Sequence, residues 1–422
     1  MSAEHPPISG LGRGMRLGRA AVGAGVASVL DRLGPAASGS QGARPARIMM
    51  SALLELRGAA LKVAQFFSLE SDWLPEAAAR ELARACHRVP SMSQAFVRDA
   101  ICRQLGSIDA HFASLDLVPF AAASLGQVHL ATTKAGQAVA VKLQYPGMTE
   151  AVRSDMRLLR HAARLLPDRS HYLRLLDEVE ARLLEECDYE REANTLAWFR
   201  ERVAVEGVTV PAVERALSRA RLLTTTRLPG LHLDDWLRTD PPQEARDSAA
   251  QRLYDTFMQC LHMHGRVHAD PNPGNILFGQ GGEVGLIDFG CTRWIDADFQ
   301  DIVARLWRAS VADDAAAGLA LQRDAGMYAH LPAQDAERID REILKPFRDW
   351  VALPFLVECF DFRAHPGFVA EGRRLFARCL EREALVGVRP EIILVNRTLY
   401  GLYRLFERLG ARVRCQNAWT AA

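Results

Sequence analysis

Two polar stretches constrain the fold more than anything else in the chain. One is Val267 to Asn275, reading Val-His-Ala-Asp-Pro-Asn-Pro-Gly-Asn; the other is Leu286 to Gly290, reading Leu-Ile-Asp-Phe-Gly. Between them run Ile276-Leu277-Phe278, the turn Gly279-Gln280-Gly281-Gly282, and Glu283-Val284-Gly285. Two short apolar runs around a Gly-rich turn predict a β-hairpin with an acidic loop at each end. Asp270, Asn275 and Asp288 then meet at the mouth of that hairpin. Two carboxylates and an amide oxygen, with no Cys and no His–carboxylate chain, suit a hard cation such as Mg²⁺. Mg²⁺ held by few protein ligands keeps room for phosphate oxygens. Either stretch alone also reads as a polar turn with no chemistry.

A second hairpin is legible upstream. A strand from Val128 to Thr132, the turn Lys134-Ala135-Gly136-Gln137 and the run Val139-Ala140-Val141-Lys142-Leu143 alternate apolar and other residues. Val139, Val141 and Leu143 point inward and Lys142 points to the other side, where it reaches phosphate oxygens or solvent. Before it lies Phe120-Ala121-Ala122-Ala123-Ser124-Leu125-Gly126-Gln127. Ser93 is placed to cap a helix reaching Leu105.

The remaining pattern is helical. From Met49, Leu53, Ala60, Ala64 and Phe67 recur on one face, and another helix spans Pro75 to Cys86. Lys62 and Gln65 lie off the first face one turn apart, so they share a partner or face solvent. Val152, Met156, Leu159, Ala163 and Leu166 mark a helix ended by Pro167. A long helix is expected from about His171 to Phe199, with Tyr172, Leu176, Val179 and Leu183 on one face. Its acidic half holds Glu185, Glu186, Asp188, Glu190 and Glu192, a solvated face or a set of ion-pair partners. Leu222 to Gly230 reads as a strand running into a turn. Ser248 to His264 is a helix packing through Leu253, Phe257, Cys260 and Leu261. From Phe299 onward the chain reads as helical throughout, broken near Pro332, Pro354, Pro366 and Pro390. Its last helix carries the stripe Val395, Leu399, Leu402, Phe406 and Leu409.

Composition sets the limits. The chain has 422 residues, of which 49% are hydrophobic, enough for a sizeable core and roughly two to three domains. A formal net charge of +1 gives no bulk electrostatic case for nucleic acid. The eight cysteines are scattered without a Cys-x-x-Cys pair, which indicates neither zinc nor a disulfide framework and suits a reducing compartment. No apolar run is long enough to span a bilayer. Residues 1–45 are rich in Gly, Ala, Ser and Arg, with Arg13, Arg16 and Arg19 ahead of Ala20 to Leu30. They read as a mobile tail with a short helix, a targeting peptide or a weak membrane-surface helix.

The spacing from Asp270 to Asn275, followed by Asp-Phe-Gly, resembles the kinase catalytic loop and its metal-binding motif, with Ala269 where kinases carry an Arg. Val139-Ala140-Val141-Lys142 resembles the kinase Val-Ala-Ile-Lys strand. From about Met49 to Arg414 the chain resembles the UbiB/ADCK (aarF-domain) group of atypical, protein-kinase-like proteins. Lys62-Val63-Ala64-Gln65 corresponds to the family's Lys-x-Gly-Gln, with Ala64 in the glycine's place. Ala121, Ala122, Ala123 and Ser124 correspond to the Ala-rich loop that replaces the kinase Gly-rich loop. Glu186-Cys187-Asp188 corresponds to Glu-x-Asp.

The resemblance implies an α+β, bilobal protein-kinase-like fold: a tail over 1–45, a helical extension over 46–115, a small β-containing lobe over 116–230, a large helical lobe over 231–414 and a tail over 415–422. It implies Lys142 as the nucleotide-facing lysine and Glu192 as its ion-pair partner. Thr226 and Leu228 fall in a hinge whose backbone groups hydrogen-bond adenine. Asp270 becomes the catalytic aspartate, and Asn275 and Asp288 the metal ligands. ATP and Mg²⁺ follow as cofactors. Lys62 would pair with Glu186 or Asp188, laying its helix over the site where a protein substrate docks. The implied activity is ATP hydrolysis or phosphorylation of a small, lipid-like or quinone-precursor acceptor, in support of isoprenoid quinone (coenzyme Q) biosynthesis or lipid homeostasis. Other readings are a nucleotide-binding pseudokinase scaffold, a protein kinase and a membrane-surface adaptor. The expected location is cytoplasmic or peripheral to a membrane.

Overall fold

The computed structural model describes residues 91–123, 125–164, 169–328, 331–381 and 389–421. The expected 1–45 tail, the helices over 49–86 with Lys62 and Gln65, and also Ser124, Leu166 and Pro167, lie outside the described residues. The chain divides into two compact units, one running to Ala193 and including Val213–Arg227, the other made of Asn194–Ala212 and the chain from Leu228. The expected boundary at 230 is therefore crossed by Asn194–Ala212, which belongs to the second unit.

In the first unit the upstream hairpin forms as expected. Strands β1 (Phe112–Leu115), β2 (Ala121–Ala123), β3 (Gly126–Thr133), β4 (Ala138–Gln144) and β5 (Leu222–Thr226) make an antiparallel sheet in the order β1-β3-β4-β5, with β2 also on β3. Val139, Val141 and Leu143 are buried with Val97 and Ile101 of helix α1 (Gln94–Leu105). Ser93 caps α1 by accepting from Phe96 N–H. Helices α2 (Met148–Ala163) and α3 (Arg169–Glu186) bury Val152, Met156 and Leu159 against Leu176, Val179 and Leu183.

The long helix expected from about His171 to Phe199 is two helices. α3 ends at Glu186 and α4 (Tyr189–Arg202) starts after Cys187 and Asp188. The Asp188 carboxylate accepts from Arg191 N–H at 3.0 Å, and Gln144 Nε2 donates to Cys187 O at 2.8 Å. A short acidic side chain that caps a new helix start competes with helix continuation, and the apolar periodicity does not register this.

In the second unit, helix α5 spans Gln243–His262, starting ahead of the expected Ser248. Pro242 at the N-cap position and Glu244 in the first turn set that start. Strands β6 (Arg266–His268) and β9 (Thr292–Trp294) pair antiparallel, as do β7 (Ile276–Phe278) and β8 (Val284–Leu286). The β7–β8 turn lies tight against α5: Gly282 has φ +77°, and a Cβ there would meet Ala245 O at 2.3 Å.

The helical layer holds α6 (Ala297–Val311), α7 (Ala315–Asp324), a helix over Ala333–Ile339, a π turn over Asp340–Leu344, α8 (Lys345–Ala352), α9 (Phe368–Glu381) and α10 (Pro390–Leu409). Two features depart from the expected run of helices. Asp313 takes φ 51° and Asp314 caps α7, which interrupts the chain after α6 without a proline. Phe360–Asp361 and Arg412–Val413 pair as a two-stranded ladder. The expected stripe on α10 is core: Val395, Leu399, Leu402, Phe406 and Leu409 are all buried. The chain end, read from sequence as a tail, packs on α5. Tyr254 Oη donates to Cys415 O at 2.8 Å, and Trp419 stacks on His262 with ring centroids 4.9 Å apart. Among the described residues no helix is long and apolar enough to cross a membrane.

Candidate active site

The first unit assembles a lysine–glutamate pair. Alternation along β4 turns Val139, Val141 and Leu143 into the core and sets Lys142 on the opposite face. The helix restart at Asp188 places Glu192 one turn into α4, its N–H on Asp188 O. Lys142 Nζ donates to both carboxylate oxygens of Glu192, at 2.7 and 2.9 Å. The side chains are 16% and 3% exposed. The ammonium also lies 5.1 Å from the Tyr189 ring centroid. Desolvating two charges makes such a pair a poor source of net stability. It holds the ammonium at a fixed point on the sheet.

The Ala-rich segment, expected as a loop, is strand β2. Ala121, Ala122 and Ala123 sit opposite Val128, Gln127 and Gly126. Gly126 was not singled out from the sequence, yet a Cβ there would meet Leu143 O at 2.3 Å and Tyr189 Oη at 3.0 Å. Its signal is a glycine three residues after the alanine run, across Ser124 and Leu125. Thr226 ends β5 opposite Val139, and Arg227 N–H donates to Ala138 O at 3.0 Å. Leu228 begins the second unit's main segment and packs beside Gly285.

The second unit assembles the acidic loops. Asn275 Nδ2 donates to Asp270 Oδ2 at 2.9 Å. A carboxylate oxygen here accepts, so the amide orientation is fixed and Asn275 Oδ1 is left as an acceptor or ligand. Asn272 Oδ1 accepts from Gly274 N–H, which shapes the turn before Asn275. Ile287 N–H donates to Asn275 O at 3.0 Å and ties the two loops across the hairpin mouth. Asp288 Oδ1 accepts from Gly290 N–H at 2.9 Å.

His268, outside the sequence-derived set although inside the motif, donates from Nε2 to Asp288 O at 2.6 Å. Its ring stands edge-on to Phe289, and Phe289 packs on Phe199 of α4. Ala269, where kinases carry an Arg, is buried, a position hostile to an unpaired guanidinium. Beneath the loop, a Cβ on Gly401 of α10 would meet Pro271 Cγ at 2.3 Å, so α10 is the bed of the loop.

The donor set fits Mg²⁺. Asp288, Asn275 and Asp270 offer only oxygen, the hard donor this ion prefers. Among the described residues no three His, Cys, Asp or Glu converge into a ready metal cage. Of the expected regulatory residues, Asp188 is committed to capping α4, Glu186 is half-buried at the end of α3, and Lys62 and Gln65 lie outside the described residues.

The sequence profile of the ABC1 atypical kinase-like domain matches residues 84–320. The chain belongs to this family. The ABC1 chain is 26% identical over 434 residues to the atypical kinase COQ8, mitochondrial, of Saccharomyces cerevisiae, covering 98% of this chain and 85% of that one. It is 29% identical over 382 residues to the atypical kinase coq-8, mitochondrial, of Caenorhabditis elegans, covering 87% of this chain and 49% of that one, about half its length. Among solved structures, the complex of Rv3197 with erythromycin from Mycobacterium tuberculosis aligns with TM-score 0.61 at 23% identity, over 85% of this chain and 90% of that one. That likeness speaks to the fold alone, and it accords with the α+β protein-kinase-like reading. The UbiB/ADCK resemblance drawn from the motifs and the family found by comparison agree.

Proposed function

We propose that this ABC1 protein binds Mg-ATP and either hydrolyses it or transfers its γ-phosphoryl group to a small or lipid-like acceptor, in support of isoprenoid quinone biosynthesis. The observation that carries the reading is the two-pronged contact from Lys142 to Glu192. A half-buried lysine steadied by a buried carboxylate is a positioned charge for phosphate oxygens. Asp270 accepts the proton of the attacking water or hydroxyl, with its carboxylate oriented by Asn275. Asn275 Oδ1 and the Asp288 carboxylate would hold Mg²⁺, which would supply positive charge to offset that of the phosphate. His268 and Gly290 keep the Asp288 backbone and side chain in place.

The alanine hairpin argues for slow turnover. A glycine loop lets backbone N–H groups close on phosphates, whereas Ala121–Ala123 are paired as a strand. A lipid-like acceptor and the link to quinone synthesis rest on the family resemblance, and a place at a membrane surface rests on the basic stretch with Arg13, Arg16 and Arg19. The test is phosphate release from ATP by the full chain, alone and with anionic vesicles or phenolic quinone precursors, against Asp288→Asn. Mg-dependent release lost in Asp288→Asn supports the reading. Nucleotide binding without release above that variant, under every condition, would leave a pseudokinase scaffold instead.

A further inference from the structure

Helix α10 meets the loop that carries Asp270 at one point and bears positive charge beside it. A Cβ on Gly401 would meet Pro271 Cγ at 2.3 Å, and Pro271 directly follows Asp270. Successive residues of an α-helix are turned about 100° from one another. Arg397 and Arg404 therefore fall on the strip of α10 between Gly401 and Tyr400. A helical side chain leans toward the N-terminus and covers the turn before its own Cα. Arg404 is exposed, and the turn it covers is the one made by Tyr400 and Gly401. Neither the family nor the phosphoryl chemistry proposed above assigns this strip a role.

A second arginine comes from α9. A Cβ on Gly372 would meet the Trp350 ring at 2.1 Å, so α9 lies tight against α8 there. The Tyr400 ring lies on the same tryptophan, with centroids 6.0 Å apart. Arg373, next after Gly372, is thereby brought near the Tyr400 phenol. Burial pushes the pKa of that phenol up, the Arg404 and Arg373 charges pull it down, and Glu407 pushes it up. Glu407 is turned to Val369 N–H, from which it accepts at 3.5 Å. Two other arginines nearby are paired, Arg408 with Asp234 and Arg374 with Glu371. Arg404 makes no hydrogen bond or ion pair among the described residues. A guanidinium offers donors only, and a phenol O–H can donate beside it. Donors and positive charge at one place are what recognise a carboxylate or a phosphate, and the planar fork of Arg fits the oxygens of either.

We propose that Arg404, Arg373 and the Tyr400 hydroxyl bind an acidic group, carboxylate or phosphate, of the phosphoryl acceptor and moor it beside the loop that carries Asp270. The acceptor role rests on the phosphoryl-transfer reading; the anion site itself does not, so it is tested without nucleotide or magnesium. One arm titrates phenyl phosphate into the full chain by calorimetry in low-salt buffer. The other sediments the full chain with phosphatidylcholine vesicles, plain or containing phosphatidic acid. Arg404→Gln should weaken binding at least about tenfold, the loss of one charge-assisted hydrogen bond, and Arg404→Glu should abolish it. Tyr400→Phe, which keeps the ring on Trp350, should weaken it about three- to tenfold. Arg338→Gln makes the same change of net charge on a helix elsewhere and should leave binding as it was. Arg404-dependent binding of phenyl phosphate identifies a soluble acid as the ligand, and Arg404-dependent sedimentation with the phosphatidate vesicles identifies a lipid headgroup; either supports the proposal. Equal binding by Arg404→Gln, Arg404→Glu and the unaltered chain in both arms, or an equal loss in Arg338→Gln, would overturn it. Loss of ATP turnover in Asp288→Asn bears on the phosphoryl reading and not on these arms, so the two can fail separately.

Discussion

Glu192→Gln takes away the carboxylate that Lys142 contacts at 2.7 and 2.9 Å, while keeping the side-chain volume. Breaking one side of a buried ion pair costs about 3–5 kcal/mol, since the other charge stays in a dry environment. The melting temperature should fall, and Mg-ATP affinity should fall with it as the ammonium is no longer held on the β4 face. Calorimetry and nucleotide titration on one sample check both, and unchanged nucleotide affinity would remove this pair from phosphate binding. Asp270→Asn keeps the Asn275 contact site but cannot take a proton. Turnover should drop by roughly 10² to 10⁴, the range for a lost general base, with nucleotide binding retained. Single-turnover phosphate release separates the two effects, and a fully active variant would exclude Asp270 as the base.

Helix ends and helix faces carry information that residue types alone do not. Asp188 starts α4 through its bond to Arg191 N–H, and Glu192 sits one turn later. Asp188→Ala should cost about 1 kcal/mol, the usual value of an N-cap, and should loosen the first turn that carries Glu192. Amide exchange in α4 would show it, with protection lost at Arg191 and Glu192 before the rest of the helix. Gly401 makes the complementary case for a helix face. A methyl group there would lie 2.3 Å from Pro271 Cγ, so Gly401→Ala must displace the loop that carries Asp270. Small misplacements of reacting groups reduce rates by up to about 10²-fold. Turnover should fall with little change in nucleotide affinity; equal turnover would mean the loop relaxes without consequence.

At the scale of the whole molecule, what the sequence revealed was what has a short period or a tight spacing. The β3–β4 and β7–β8 hairpins, the α10 stripe and the placement of Lys142, Asp270, Asn275 and Asp288 all follow from alternation, turns and motif spacing. The break at Asp188, the interruption at Asp313 and the Phe360–Asp361 ladder do not, because each depends on a cap, a positive φ or a distant partner strand. The packed chain end was illegible for the same reason: Trp419 meets His262 only through tertiary contact.

That contact yields a pH dependence. His262 lies against Trp307 and Trp419, and its Nε2 is buried without a hydrogen-bond partner among the described residues. Burial, and then the nearby Arg308 charge, push its pKa down from 6.5 to about 4. The unfolded chain therefore takes up this proton first as pH falls. The stabilisation from keeping His262 neutral is complete above pH 6.5 and is lost progressively down to about pH 4, at most about 3 kcal/mol for a shift of that size. His262→Phe keeps a ring between the two tryptophans and has nothing to protonate. Urea midpoints measured at pH 7 and pH 4.5 should fall further in the unaltered chain than in His262→Phe, and matching falls would place the acid sensitivity elsewhere.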